Sequence, residues 1–127
     1  MLLCNWEEIE AEALTAQLTR KYVSGQYMTL ARFYLKKGCI VQAHSHANEQ
    51  MSTVMSGAMR FVIDGREIVA TDGQTVCIPP FSTHSVEALE DCSMLEVFSP
   101  VREDWIEGSD DYLRGGKVDT PAVPDCP

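Results

Sequence analysis

The amino-acid sequence predicts an all-β protein, a double-stranded β-helix (jelly roll) of antiparallel strands. Short runs rich in β-branched and aromatic residues recur through residues 26–99 at spacings of about 8 to 12 residues, with turn signals between them. Within the runs apolar residues alternate, as in Met59, Phe61 and Ile63, which is the period of a strand with one buried face. The runs stop at turn formers, Asp64-Gly65 and Asp72-Gly73, or at prolines that cannot donate to a ladder, Pro79-Pro80 and Pro100.

In chain order, Asn5 as an N-cap, Glu8 three residues on, and Ile9, Ala13 and Leu14 along one side predict a helix over 5–18. Gly25 separates that segment from Gln26 to Leu35, a strand running into the turn Lys36-Lys37-Gly38. A strand carrying two histidines follows. Gln50 to Met55 continues as a strand, Ser56-Gly57 turns, and Met59 to Ile63 pairs through Asp64-Gly65 with Glu67 to Ala70. Thr75 to Ile78, Ser85 to Ala88 and Ser93 to Ser99 complete the set. From Gly108 the chain is polar, glycine-rich and proline-rich, which predicts an arm or flexible tail without chemistry of its own. The expected organisation is an N-terminal arm (1–26), one barrel (27–107) and a C-terminal arm or tail (108–127).

Composition narrows the function classes. At 127 residues the chain is the size of one domain. Its five cysteines, Cys4, Cys39, Cys77, Cys92 and Cys126, are odd in number and scattered, so neither a disulfide framework nor a zinc knuckle is indicated, and a reducing cytoplasm fits. Neither a basic leader nor a long apolar run is found, so no signal peptide and no membrane span are expected. The formal charge of −9 repels phosphate backbones and offers no basic stripe, so no nucleic-acid partner is expected.

The chemistry-bearing stretch is Gly38 to Gly57, which holds two of the three histidines one residue apart. On a strand of period two, His44 and His46 share a face, and two imidazoles side by side form half of a metal site. Gln50 has the same parity. Glu49 is the better ligand chemically, but its parity sends it away unless the strand bulges. The third histidine, His84, is delivered by the Pro79-Pro80 turn. In Met94-Leu95-Glu96-Val97-Phe98 both strand faces are apolar, and the lone carboxylate of Glu96 is costly to bury unless it is paired or used.

Gly38, His44, His46, Gln50 and Gly57, followed by Gly73, Pro79 and His84, resemble the two motifs of the cupin superfamily, with departures at Gln50 (usually glutamate), Phe81 (usually glycine) and Ala88 (usually asparagine). In small members of that superfamily the N-terminal region is often an extended arm. The HSHANEQ segment and the run from Val86 to Trp105 further resemble the small pectin-degradation cupins of the KdgF type. That resemblance implies one divalent transition metal (zinc, nickel, iron, cobalt or manganese) on His44, His46, Gln50 and His84. It also implies a cavity lined by Glu96, Phe98 and Arg102, with Glu96 standing where that group usually has aspartate. Glu96 is then the acid or base and Arg102 a carboxylate clamp. The implied activity is conversion of 4,5-unsaturated uronate monomers, from pectin or alginate, to the linear ketonised sugar acid. An iron-dependent dioxygenase and a non-catalytic small-molecule-binding protein are the alternatives. A homodimer is expected, because Met51, Thr53 and Met55 form a face of opposite parity to Gln50 that needs cover.

Overall fold

The structure is a computed structural model that describes residues 2–115. Ten strands form two antiparallel sheets: β1 (Glu12–Ala13), β2 (Leu18–Ser24), β3 (Thr29–Leu35), β4 (Ile40–His44), β5 (Glu49–Ser56), β6 (Ala58–Ile63), β7 (Arg66–Thr71), β8 (Thr75–Ile78), β9 (His84–Ala88) and β10 (Cys92–Ser99). One sheet has the order β1-β2-β3-β10-β5-β8 and the other β4-β9-β6-β7. Successive strands from β4 to β8 alternate between the sheets except at the β6–β7 hairpin, which is the crossing pattern of the expected jelly roll.

Alternation builds the core. Ala31 and Phe33 on β3, Val54 on β5, Met59 and Phe61 on β6, Ile78 on β8 and Met94 and Phe98 on β10 are buried between the sheets, while their strand neighbours point outward. Truncating a fully buried ring such as Phe61 to alanine costs about 3–5 kcal/mol, so this layer fixes the register of the strands that carry the site. The Asp64-Gly65 hairpin has positive φ at both residues, 49° and 82°, which suits the right-handed twist of the paired strands. Gly57 has no alternative residue: at φ +110° a Cβ would lie 2.4 Å from the carbonyl oxygen of Asp91 and 2.8 Å from Sγ of Cys92.

Both ends of the chain depart from expectation. In place of a helix over 5–18 there is a 3-10 turn at Trp6–Glu8, and β2 then pairs with β3 along its whole length from Leu18 to Ser24. The capping chemistry was real, since the side chain of Asn5 accepts from the Glu7 amide, but the burial of Leu18 and Arg20 against β3 outweighs local helix propensity. Residues 18–24 are thus part of the barrel sheet and not of an arm. At the other end, α1 (Glu103–Glu107) is followed by a 3-10 turn, Asp111–Arg114, whose Leu113 is buried and whose Tyr112 packs against the core cluster. That segment is neither a tail nor without a place in the site. The remainder of the expected tail, with Cys126, lies outside the described residues.

Candidate metal centre

His44 ends β4 and His84 begins β9, and the two residues are direct cross-strand partners. His46 does not share a strand with His44, as period two would have it. It sits in the connection to β5, and the chain bends there so that all three rings converge. Ring centroids are 4.3 Å apart for His44 and His84, 4.9 Å for His46 and His84, and 5.7 Å for His44 and His46. One ligand atom from each lies within 4.8 Å of the others.

The same device aims each ring. Nδ1 of His44 donates to the carbonyl of Gln42 at 2.9 Å, Nδ1 of His46 to that of Asn48 at 3.1 Å, and Nδ1 of His84 to that of Ser82 at 2.8 Å. With Nδ1 carrying the proton, each Nε2 is left as a bare lone pair facing inward, the tautomer a metal requires. Nε2 of His84 is buried with no partner. Burial and the neighbouring His84 push the pKa of His44 down to about 3; burial, Arg102 and the other two histidines push that of His46 to about 2. Burial lowers His84 as well. Three neutral imidazoles aimed at one point fit a transition-metal ion.

Gln50 stands beside the three histidines. Its Nε2 donates to Oγ of Ser52 at 2.9 Å, which turns Oε1 to within 3.1 Å of Nε2 of His46. Two acceptors then face each other in a buried place, an arrangement that costs free energy unless a cation lies between them. Glu49 is exposed, so parity turns the glutamine and not the glutamate towards the histidines.

The cluster opens into a cavity of about 50 Å³ lined by His44, Gln50, His84, Glu96, Phe98, Arg102 and Tyr112, among others. Glu96 is half-buried, crowded by protein atoms although part of its surface reaches the cavity. Burial raises its pKa to about 7, and the Ser52 hydroxyl and the Arg102 charge only partly oppose that. The ring of Phe98 meets His46 edge-on at 5.9 Å and forms an apolar wall. Arg102, 1% exposed, stacks over Phe98 and Trp105 at 4.7 and 4.5 Å.

Several residues here had no sequence signal. Asp104 takes Nε and Nη2 of Arg102 at 2.9 and 2.7 Å, so one edge of the guanidinium fork already has a carboxylate from the protein itself. Tyr112 accepts from Nη2 at 2.5 Å and lies over the ring of His44 at 4.5 Å. Asn48 ties the His46 turn to the carbonyls of Pro100 and Val101 at 2.6 and 3.1 Å. The adjacent apolar pair Tyr112-Leu113 is the local signal that residues 108–115 return to the barrel.

The family description "Cupin domain" matches residues 31–98, more than half of the chain and the span that holds every histidine. The chain is a cupin. Among solved structures this cupin is similar to an RmlC-like cupin from Shewanella frigidimarina, with 25% identity over 83% of this chain and 96% of that one and a TM-score of 0.78. KdgF from Halomonas sp. aligns at 22% identity over 78% of this chain and 93% of its own, with a TM-score of 0.74. A predicted oxalate decarboxylase from Thermotoga maritima aligns at 18% identity over 78% and 99%, with a TM-score of 0.70. The last two show the fold alone. No curated protein matches the chain. Among the described residues, no helix is long and apolar enough to cross a membrane.

Proposed function

We propose that this cupin is a cytoplasmic, homodimeric, metal-dependent enzyme that takes a small sugar acid and promotes ring opening and ketonisation of 4,5-unsaturated uronate monomers. One observation carries the reading: a carboxyl group with a pKa of about 7, Glu96, and a buried cation, Arg102, line the same cavity as His44 and His84 of the three-histidine cluster. A non-catalytic binding protein has no use for a proton carrier poised near neutrality, whereas an isomerisation that shifts a proton between carbon and oxygen needs one. The resemblance of the HSHANEQ segment and of the run from Val86 to Trp105 to the KdgF-type cupins supports the choice of substrate class.

His44, His46, His84 and Gln50 would hold one divalent transition metal, which when bound supplies a Lewis acid for a hydroxyl or carbonyl oxygen of the substrate. Arg102 orients the substrate through its carboxylate, using the guanidinium edge that Asp104 leaves. Glu96 gives or takes the proton. Phe98 and Trp105 form an apolar wall of the cavity that keeps water from the proton transfer.

The test follows loss of the 4,5-unsaturated uronate chromophore in wild type and in Glu96→Gln, which keeps shape and removes the titrating group. Turnover is expected to fall by about 100-fold or more. An unaccelerated reaction with metal-loaded wild type would reject the uronate reading, and oxygen consumption with candidate substrates would then favour the iron-dependent dioxygenase.

A further inference from the structure

The cavity beside the histidines is too small for the substrate class just proposed. It measures about 50 Å³, whereas ligand pockets usually measure ~300–1,000 Å³. What limits it is the segment between Gly108 and Gly115. Leu113 and Tyr112 close the cavity from that side, and the Tyr112 ring covers His44.

Two glycines bound the segment. Both bounding glycines are in the left-handed region, at φ 82° and 81°, each ending a short helical turn. Between them Asp110 is 1% exposed and pairs with Arg20, also 1% exposed, at 2.9 Å; the contact is ionic and not a well-aligned hydrogen bond. Arg114 joins the same carboxylate, and Glu12 takes Nε of Arg20 at 3.0 Å. The segment is therefore tied to β2, more than eighty residues away in sequence, through one buried charged contact, and beyond that rests on the packing of Tyr112 and Leu113 and the Tyr112–Arg102 bond, with no strand pairing among the described residues.

Tyr112 also occupies the position a substrate carboxylate would take. Asp104 uses the Nε/Nη2 edge of Arg102, and the remaining edge, Nη1 and the second N–H of Nη2, is the one that can grip a second carboxylate with two parallel bonds. The Tyr112 hydroxyl sits on Nη2 of that edge.

We propose that Gly108–Gly115 is a hinged strap latched by Asp110 on Arg20, and that Tyr112 is the specificity-determining residue that yields its place on Arg102 to the carboxylate of an incoming sugar acid. The inference rests on the sugar-acid reading of the site but not on turnover.

Two measurements test it. Hydrogen exchange on the metal-free protein reads the latch: in Asp110→Asn the amides of residues 108–115 should exchange at least about 10-fold faster than in wild type, with β10 unchanged. Equal exchange in the strap overturns the latch. Binding of galacturonate, a saturated uronate that cannot react, reads the gate in cobalt-loaded protein through the cobalt absorbance, with azide as a small ligand that needs no clamp. Tyr112→Phe, which keeps the ring and removes the hydroxyl, should bind galacturonate about 10-fold tighter, and Tyr112→Ala should also bind it faster, while azide changes less than about two-fold. Galacturonate affinity that is the same in all three proteins, or azide shifting by the same factor, overturns the role of Tyr112. Turnover enters neither measurement, so failure of the catalytic reading leaves both outcomes readable.

Discussion

Ser52 stands directly opposite Glu96 across β5 and β10, and its hydroxyl joins that carboxylate to the amide of Gln50. An ionised Glu96 accepts from Ser52, Ser52 then accepts from Nε2 of Gln50, and the amide oxygen is left facing His46. The proposed proton carrier and the fourth candidate ligand are thus linked through one fully buried hydroxyl. Ser52→Ala is expected to weaken metal binding by about 10-fold, the lower end for loss of a group that orients a ligand, in a chelator competition. It also removes an interaction that lowers the pKa of Glu96, so the pH–rate limb belonging to that residue should move to higher pH. No movement of either quantity would place Ser52 outside the relay.

One divalent metal per chain is expected in protein purified without a histidine tag. The His44→Ala, His46→Ala double variant should lose it, because His84 and Gln50 alone leave only two ligands. Elemental analysis decides the matter. Stoichiometric metal in the folded double variant would mean that it binds elsewhere.

Acid should destabilise the metal-free protein. His44 and His46 have folded pKa values of about 3 and about 2 against 6.5 when unfolded, and His84 is lowered too, so below about pH 6.5 the unfolded chain binds more protons at these sites. Stability is then lost as pH falls through that window, by up to ~1.4 kcal/mol per pH unit for each proton of difference. Glu96 acts in the opposite sense between 4.5 and about 7, where the folded form holds the extra proton, but it is one group against three. Urea midpoints measured from neutral pH down to about pH 4.5 should fall. A flat or rising series would contradict the neutral, buried state of the histidines.

Phe81 holds a φ of 66° at the position where related motifs carry glycine, with its ring largely in solvent. A left-handed conformation costs a residue with a Cβ about 1–2 kcal/mol, of which glycine's extra unfolded-state entropy returns ~0.5–1. Phe81→Gly should therefore stabilise the protein by somewhat under ~1 kcal/mol, or roughly 3 °C in Tm. The turn also carries a hydrogen bond from the Phe81 amide to the carbonyl of His46, so metal affinity should be retained. A fall in Tm would show that the ring contributes more than its exposure indicates.

On the outer face of the six-stranded sheet, Val23, Leu30, Val97, Met51 and Cys77 form one cross-strand row of apolar side chains. Covering that row with a second copy of the chain accounts for its composition better than solvent does. Met51→Glu should shift a dimer to monomer in light scattering at micromolar concentration, and a monomeric wild type would remove the argument.

Short-range rules were enough for much of this. Alternation with period two exposes Glu49 and buries Gln50, and Asp64-Gly65 makes its hairpin because those residues accept positive φ. The Pro79-Pro80 turn ends β8 at Ile78 and delivers His84, as a chain without a backbone donor must stop a ladder. Each of these preferences is contained within a few neighbouring residues, so each can be read before the chain is folded. His46 already escapes that reading, since a bend after His44, and not strand parity, brings its ring to the others. Tyr112 over His44, Tyr112 on Arg102, and Arg20 against Asp110 escape it altogether. Polar residues in a glycine-rich stretch look like a solvated tail, because composition records only the cost of burying them. The compensating partners lie on β2, β4 and the turn after β10, and only closure of the barrel brings them within bonding distance.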